Sequence, residues 1–555
     1  MKIMLSRGAV LALFFSHLAS ALPLSPADRS TLEAQQQQWL EQNQQQREAL
    51  ERAVTLPSIP AEEQSGDSKG PCLPVTHIIM EGVTQMTARQ QTLITSPWRG
   101  KCLAAAGIKQ LTDEVSNWYI RRGFITSRAF IPEQNLAGGE LHLTVIEGRI
   151  EKLQLEGESG GALRMAFPGL EGQILNLRDI EQGMEQINRL RSVPVQIEIL
   201  PSKTPGYSVV NLTATPEFPL RASLSIDNSG QKSTGIGQLG GALTGNNLLG
   251  LAEQWLVSGG RSSDFANGRD AQNVQAGISL PYGYSLFDYS YSYSDYASAV
   301  DNRGYRWRST GDSETHRVNV SRVLFRNGEL KTGASLGLTH RITHNYLNDT
   351  LLKSSSHKLT SLQAGLNHTQ KAAGGVATFN PVFSHGVSWL GAENDNGKKG
   401  DAPKAAFKKW SLNASYQRPV TEKLWWLSSL YGQWSPDRLY GSERLTLGGE
   451  SSVRGFKEQY LSGDNGGYWR NELNYSLFTL PVIGQVNLLA ALDGGWLQKD
   501  NKDPQACGTL WGAAAGISFA RRYYTSQFTV GLPVKYPDWL GPDRVSVYSR
   551  FALAF

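Results

Sequence analysis

"FDYSYSYSDY", residues 287–296, alternates without a break: Phe287, Tyr289, Tyr291 and Tyr293 fall on one face and Asp288, Ser290, Ser292 and Ser294 on the other. Successive side chains of a strand point to opposite faces, so this stretch predicts a β-strand with one aromatic and one polar side. "RNELNYSLF" (470–478) repeats the pattern, with Leu473, Tyr475 and Leu477 opposing Glu472, Asn474 and Ser476. "VSVYSRFALAF" (545–555) sets Val545, Val547, Phe551, Leu553 and Phe555 on one side. A soluble sandwich also alternates, but its apolar face looks inward. In a membrane barrel the apolar face meets lipid, the polar face meets a wet lumen, and aromatic residues ring both interfaces. The roughly 340 residues from 216 onward, at about 10 per strand plus connections, make room for roughly 14 to 18 strands.

Composition agrees with a large exported β-protein. The chain has 555 residues, 40% of them apolar, yet contains no apolar run of the length a membrane helix needs. Its formal charge of +5 is spread along the chain, so nucleic acid is not an expected partner. Lys2 and Arg7 precede the apolar "AVLALFF", and "ASA" at 19–21 follows as a cleavage site, so residues 1–21 read as a signal peptide and the mature chain begins near Leu22. Export into an oxidising compartment favours pairing of Cys72 with Cys102, which flank one short segment. Cys507, among the turn formers of "NKDPQACG", reads as a free loop thiol, and three cysteines at these spacings make no zinc motif.

Residues 22–54 include "SPADRSTLEAQQQQWLEQNQQQREALERAV", where Ser25 can cap, Pro26 suits the first helical position and the Gln, Glu, Leu and Ala that follow propagate a helix. Its polar surface fits either a disordered segment or a helix inside a wet channel. "TLPSIPAEEQSGDSKGP" (55–71) is a linker. Two similar α+β units come next, over 72–148 and 149–215. In the first, "THIIMEG", "FITSRAF" and "ELHLTVIEG" read as strands and "IKQLTDEVSNWYIRRG" as a helix; "IEKLQLEG", "NLRDIEQGMEQINRL", "PVQIEIL" and "YSVVNLTA" give the same set in the second. Neither unit carries a catalytic cluster.

Motif matches within the barrel region dissolve on inspection. "GIGQLG" (235–240) lacks the strand, helix and distal acid of a dinucleotide site and reads as small strand residues. His340 and His344 would share a metal on a helix, but on a strand they stand about 13 Å apart. Arg454, in "LTLGGESSVRGFKEQY" (445–460), is more interesting. In "QVNLLAALDGGWL" (485–497), Val486, Leu488, Ala490, Leu492 and Trp496 take the lipid parity, so Asp493 faces the lumen and needs a cation. Residues 455–468 could span about 40 Å, enough to enter a barrel about 25 Å tall and return, with Gly448, Gly449 and Gly455 supplying the bend. An ordinary solvated loop position remains the alternative for Arg454.

The order of signal, Gln-rich helix, linker, two α+β units and C-terminal barrel resembles the two-partner secretion transporters of the haemolysin-activator and contact-dependent-inhibition branch. "VRGF" (Val453, Arg454, Gly455, Phe456) is similar to that family's loop motif, and "LDGGW" (492–496) to its Asp-bearing strand motif. The resemblance implies a mainly β fold: a 16-stranded antiparallel transmembrane β-barrel over 216–555, two periplasmic βααββ POTRA domains and an N-terminal plug helix. It implies that Arg454 enters the lumen on the sixth extracellular loop and pairs with Asp493. Phe456 replaces the tyrosine of many relatives, so no hydroxyl contact is expected there. The expected function is outer-membrane export of one large exoprotein, in touch with outer-membrane lipid and inserted by assembly machinery that reads Phe555, with no catalytic residues, metal or cofactor. The alternatives are a barrel-assembly or lipid-insertion factor of the same architecture, and a passive porin.

Overall fold

A computed structural model describes residues 24–51 and 72–555, apart from 157–159, 191–192, 194, 216, 266–267, 303–304, 399, 401, 501–502 and 504–505. The expected signal (1–21), its cleavage point at Leu22 and the linker (55–71) lie outside the described residues. The expected plug helix (22–54) is described as α1, Pro26–Glu51, whose Asp28 amide donates to the Ser25 hydroxyl at 3.1 Å as an N-cap.

The first α+β unit carries helices α2 (Ala88–Thr95) and α3 (Ala105–Arg121) on a three-stranded sheet, in which His77–Glu81 runs parallel to Glu140–Ile146 and Arg128–Phe130 antiparallel to it. "FITSRAF" is shorter as a strand than expected, because Phe124–Ser127 forms the turn that leaves α3. Leu73–Val75 and Lys101–Leu103 pair separately, and a Cys72–Cys102 disulfide with a Cα separation of 5.2 Å ties them. The second unit repeats the plan: Arg149–Glu156 lies parallel to Tyr207–Thr213, Gln196–Pro201 antiparallel to it, with α4 (Gly160–Ala166) and α5 (Leu177–Asn188) above.

The two units meet through fixed polar contacts. Within the first unit, at its edge, Glu147 accepts from the Thr84 and Gln85 amides at 2.8 and 2.9 Å and from the Tyr119 hydroxyl at 2.7 Å. Burial alone would raise this carboxyl, but the Thr84 and Tyr119 hydroxyls and those amides outweigh it and hold it below its usual range. The Leu177 amide donates to the Gly123 carbonyl at 2.8 Å across the junction.

Sixteen principal strands, from Leu220–Asp227 to Ser546–Ala554, close an antiparallel barrel, with the two-residue Thr350–Leu351 as a local extension. The closing seam pairs only Arg550–Ala554 with Asp227–Ser223, and the Phe555 backbone then exchanges hydrogen bonds of 2.8 and 3.1 Å with Ala222. Strands Ser285–Asn302, Tyr305–Arg326 and Leu330–Leu347 have 18, 22 and 18 residues, against the 9–11 or so that cross a bilayer. They therefore stand out of the membrane on the extracellular side. The outward face of "FDYSYSYSDY" pairs in register with Val318, His316 and Glu314, and Tyr289 Oη sits 2.9 Å from His316 Nδ1. Val486 shares the expected lipid parity with Leu488, Leu492 and Trp496, but its register partners Phe478 and Phe519 flank it, so it is buried where those three are exposed.

The second unit is bolted to the barrel through α5. Arg326 donates to Gln182 at 2.6 Å and to Glu185 at 3.1 Å, Lys331 pairs with Glu185, and Arg189 donates to the Ala252 carbonyl at 2.9 Å. No described helix is long and apolar enough to cross a membrane. Replacing Cys72 and Cys102 together by serine removes the closure of a 30-residue separation and should destabilise the first unit by about 3 kcal/mol. Amide exchange on the full chain is then expected to accelerate within 72–148 and not in the barrel; unchanged protection there would show that the disulfide does no stabilising work.

Candidate functional site

The connection from strand Leu424–Trp434 to strand Gly466–Leu480 folds into the barrel instead of over it. Leu445–Leu447 pairs with Leu461–Gly463 as the base of an inward hairpin. Beyond that base the chain turns back through Gly448, Gly449 and Gly455, at φ of 118°, 109° and 100°, values that side-chain-bearing residues rarely adopt. Leu445, Leu447, Val453, Phe456 and Leu461 are all buried and pack against Tyr431, Tyr468, Leu497 and Leu510 of the wall. At about 1.5–3 kcal/mol per fully buried large side chain, this small dry core commits the loop to the lumen. The Phe456 ring meets Tyr536 edge-on at 6.1 Å, an apolar contact that uses no hydroxyl.

Arg454 lies at the tip of this loop, 2% exposed, beside the fully buried Asp493. Its Nε donates to Asp493 Oδ2 at 2.6 Å and its Nη2 to Oδ1 at 2.7 Å, while its own backbone amide donates to Oδ2 at 3.1 Å. Two parallel charge-assisted bonds fix both planes, which an ammonium cannot do. The third guanidinium nitrogen, Nη1, stands 3.0 Å from Glu472 Oε1, and Arg470 Nη2 donates to that same oxygen at 2.7 Å. Arg470 also holds the loop itself, through the Glu450 carbonyl at 2.7 Å. The chain Arg470, Glu472, Arg454, Asp493 alternates in sign, so no net charge is buried. Removing one member would cost about 3–5 kcal/mol, because its neighbour is left uncompensated.

The wall opposite the loop is made of glycine. A Cβ on Gly512, the register partner of Asp493, would sit 1.7 Å from the Arg454 carbonyl oxygen, and one on Gly531 would sit 2.6 Å from the Gly455 nitrogen. The Gly495 position would touch Leu447 and Val453 at 3.0 Å. At Gly512 and Gly531 backbone thus seats on backbone, which lets the guanidinium reach the acid. Glu472, Arg470, Gly512 and Gly531 were not among the expected site residues. Glu472 had been placed on the polar face of its strand, but only the register shows that this face meets Arg454.

α1 fills the remaining lumen beside the loop. Arg29, Leu32, Gln36, Asn43, Arg47 and Leu50 form its buried stripe, at helical spacing and mostly polar. Gln36 donates to the Thr446 carbonyl at 2.9 Å, Asn43 to Asn413 at 2.9 Å and Arg47 to Gln417 at 3.1 Å. Arg29 caps the loop from above, donating to the Lys457 carbonyl at 2.5 Å and lying 4.8 Å over the Tyr460 ring. Trp39 stacks on Tyr431 at 4.3 Å.

The other singled-out residues take no part. His340 lies 2.8 Å from Thr360 and His344 3.0 Å from Asp312, so each has its own partner. In "GIGQLG", Gly235 and Gly237 belong to a loop and only Gly240 to a strand.

A barrel in the outer membrane, stoppered by a charged inward loop and a polar helix and preceded by two periplasmic POTRA domains, defines a transporter of two-partner secretion. The chain belongs to the haemolysin secretion/activation protein family ShlB/FhaC/HecB, whose profile matches residues 206–519; a ShlB-type POTRA profile matches 73–148 and a further POTRA profile 149–201. Over 542 residues, 97% of this chain and 92% of the relative, it is 59% identical to the outer membrane transporter CdiB of Escherichia coli. It is 30% identical over 551 residues, 97% and 96% of the two chains, to the hemolysin transporter protein ShlB of Serratia marcescens. The solved structure of CdiB from Escherichia coli matches with a TM-score of 0.94 at 59% identity, covering 97% of this chain and all of that one. This membership favours secretion over barrel assembly.

Gly512→Ala places a methyl group where the Arg454 carbonyl lies and should unseat the loop while the barrel still inserts. Amides 453–456 are expected to lose at least about tenfold of their exchange protection, the equivalent of 1.4 kcal/mol; full protection in a heat-modifiable barrel would contradict the close backbone approach.

Proposed function

We propose that this transporter exports a large exoprotein of the contact-dependent-inhibition type, carried unfolded, with α1 as a removable plug and Arg454–Asp493 as the latch of a loop that stays. The observation that carries the reading is the unlike chemistry of the two lumenal elements. Most of the side chains that α1 lays on the wall are amides and guanidinium groups bonded to polar partners, contacts worth about 0.5–1.5 kcal/mol each because water replaces them on exit. The loop is held by buried apolar side chains, for which water is no substitute, and is fixed in place by a buried bidentate ion pair. Passage of cargo then needs the helix to leave and the loop to remain as a fixed wall element.

The relatives named CdiB, at 59% identity, support the contact-dependent-inhibition type of cargo. The reading assigns the chain no catalytic step: Arg454 and Asp493 act by position. The outward, exposed Phe555, whose backbone closes the seam, suits recognition by barrel-assembly machinery.

Arg454→Ala and Asp493→Ala are each expected to cut export of the partner exoprotein while the heat-modifiable barrel still inserts, and Arg454→Lys to retain part of it. Wild-type export by the alanine variants would overturn the latch. Deleting 26–51 from the full chain should raise ion conductance in planar bilayers; unchanged conductance would remove the plug.

A further inference from the structure

A cavity of about 140 Å³ separates the second POTRA domain from the second periplasmic turn of the barrel. Its lining combines three kinds of surface: Phe167 and Leu170 from the segment after α4, Tyr282 and Tyr284 from the turn, and two charged residues, Asp179 of α5 and Arg322 of the sixth strand. The level of this cavity follows from the strand. Arg322 has the outward parity of Val318 and Val320, which are exposed to lipid, and the exposed Leu324, Phe325 and Tyr282 lie beside it. The mouth therefore sits at the periplasmic boundary of the membrane, where a long cationic side chain reaches the phosphate layer.

The two charges are not used up within the protein. Among the described residues Arg322 makes no ion pair and donates only a long 3.4 Å bond to the Ser285 hydroxyl. Asp179 accepts a 2.6 Å bond from the Tyr284 hydroxyl, and no described cation pairs with it. Burial pushes its carboxyl up and only that hydroxyl opposes the shift. A cavity worth about four or five water volumes holds a headgroup and no acyl chain. A small ligand that presents an anion and a cation a few bonds apart, and trails apolar chains toward the bilayer, satisfies both walls and the opening.

We propose that this cavity seats the headgroup of a zwitterionic phospholipid of the periplasmic leaflet, its phosphate on Arg322 and its ammonium on Asp179. The bound lipid becomes a third member of the joint that Arg326, Lys331 and Glu185 make between the POTRA domain and the barrel, and it ties that joint to the membrane surface.

The test is native mass spectrometry of the full chain in mild detergent, titrated separately with phosphatidylethanolamine and phosphatidylglycerol. Wild type is expected to retain one phosphatidylethanolamine about tenfold more tightly than phosphatidylglycerol, the worth of one charge-assisted hydrogen bond. Arg322→Gln should weaken both lipids about tenfold. Asp179→Asn should abolish the preference between them, whereas Tyr284→Phe, which keeps the acid, should preserve it. Equal retention by Arg322→Gln and wild type, or no preference in wild type, would overturn the site; heat-modifiability of each variant shows that the barrel is folded.

Discussion

A guanidinium group buried between two carboxylates is the constraint that the rest of this molecule satisfies. Arg454 reaches Asp493 with two nitrogens and Glu472 with the third, and such a charge is tolerable away from bulk water only when all its donors are met. Meeting them fixes where the loop tip stands to within a fraction of an ångström. The barrel is built around that position: neighbouring strands present Gly512 and Gly531 where the loop backbone presses on the wall, and the strand before them presents Gly495 to the Leu447 and Val453 side chains. A side chain at Gly512 or Gly531 would push the loop backbone, and with it the arginine, away from the acid. The glycines are sequence-level consequences of one ion pair.

The lumen is thereby divided between an element held by apolar burial and an element held by polar contacts. The loop contributes the buried apolar residues, Leu447, Val453 and Phe456, and so behaves as part of the barrel. α1 contributes a stripe of Gln, Asn and Arg whose partners are also polar. A hydrogen-bonded polar interface loses little when water enters, whereas an apolar one loses its whole driving force. Arg29, which bonds the loop carbonyl of Lys457, and Gln36, which bonds that of Thr446, join the two elements. On the periplasmic side, α5 fixes the second POTRA domain beneath the barrel through Glu185 and Arg326.

Much of this was legible in the sequence, for reasons that can be named. Strand alternation is a local property, so "FDYSYSYSDY" and "QVNLLAALDGGWL" announced a lipid face and a lumen face, and the parity of Asp493 followed. The α1 helix and its cap were likewise local, readable from Ser25 and Pro26. What escaped depended on register and contact across strands. Glu472 and Arg470 become partners of the loop only because Arg470 pairs with Asp493 across one ladder and Gly512 with Asp493 across the next. In sequence, Gly512 is one small residue in "GAAAG", indistinguishable from Gly516 four places on. The burial of Val486 under two flanking phenylalanines was not legible, because it is a property of neighbouring strands. The short turn that ends "FITSRAF" as a strand escaped because β-branched residues also occur where α3 unwinds.

The central claim is that Arg454 and Asp493 act as one unit, and a double-mutant cycle measures this most directly. Export rate of the partner exoprotein is determined for wild type, Arg454→Ala, Asp493→Ala and the double variant, each at matched levels of inserted barrel. If the pair is a single latch, the double variant secretes no worse than the more defective single one, because the second removal takes away a charge already stranded. If the two losses simply multiply, the residues act independently and the latch is contradicted.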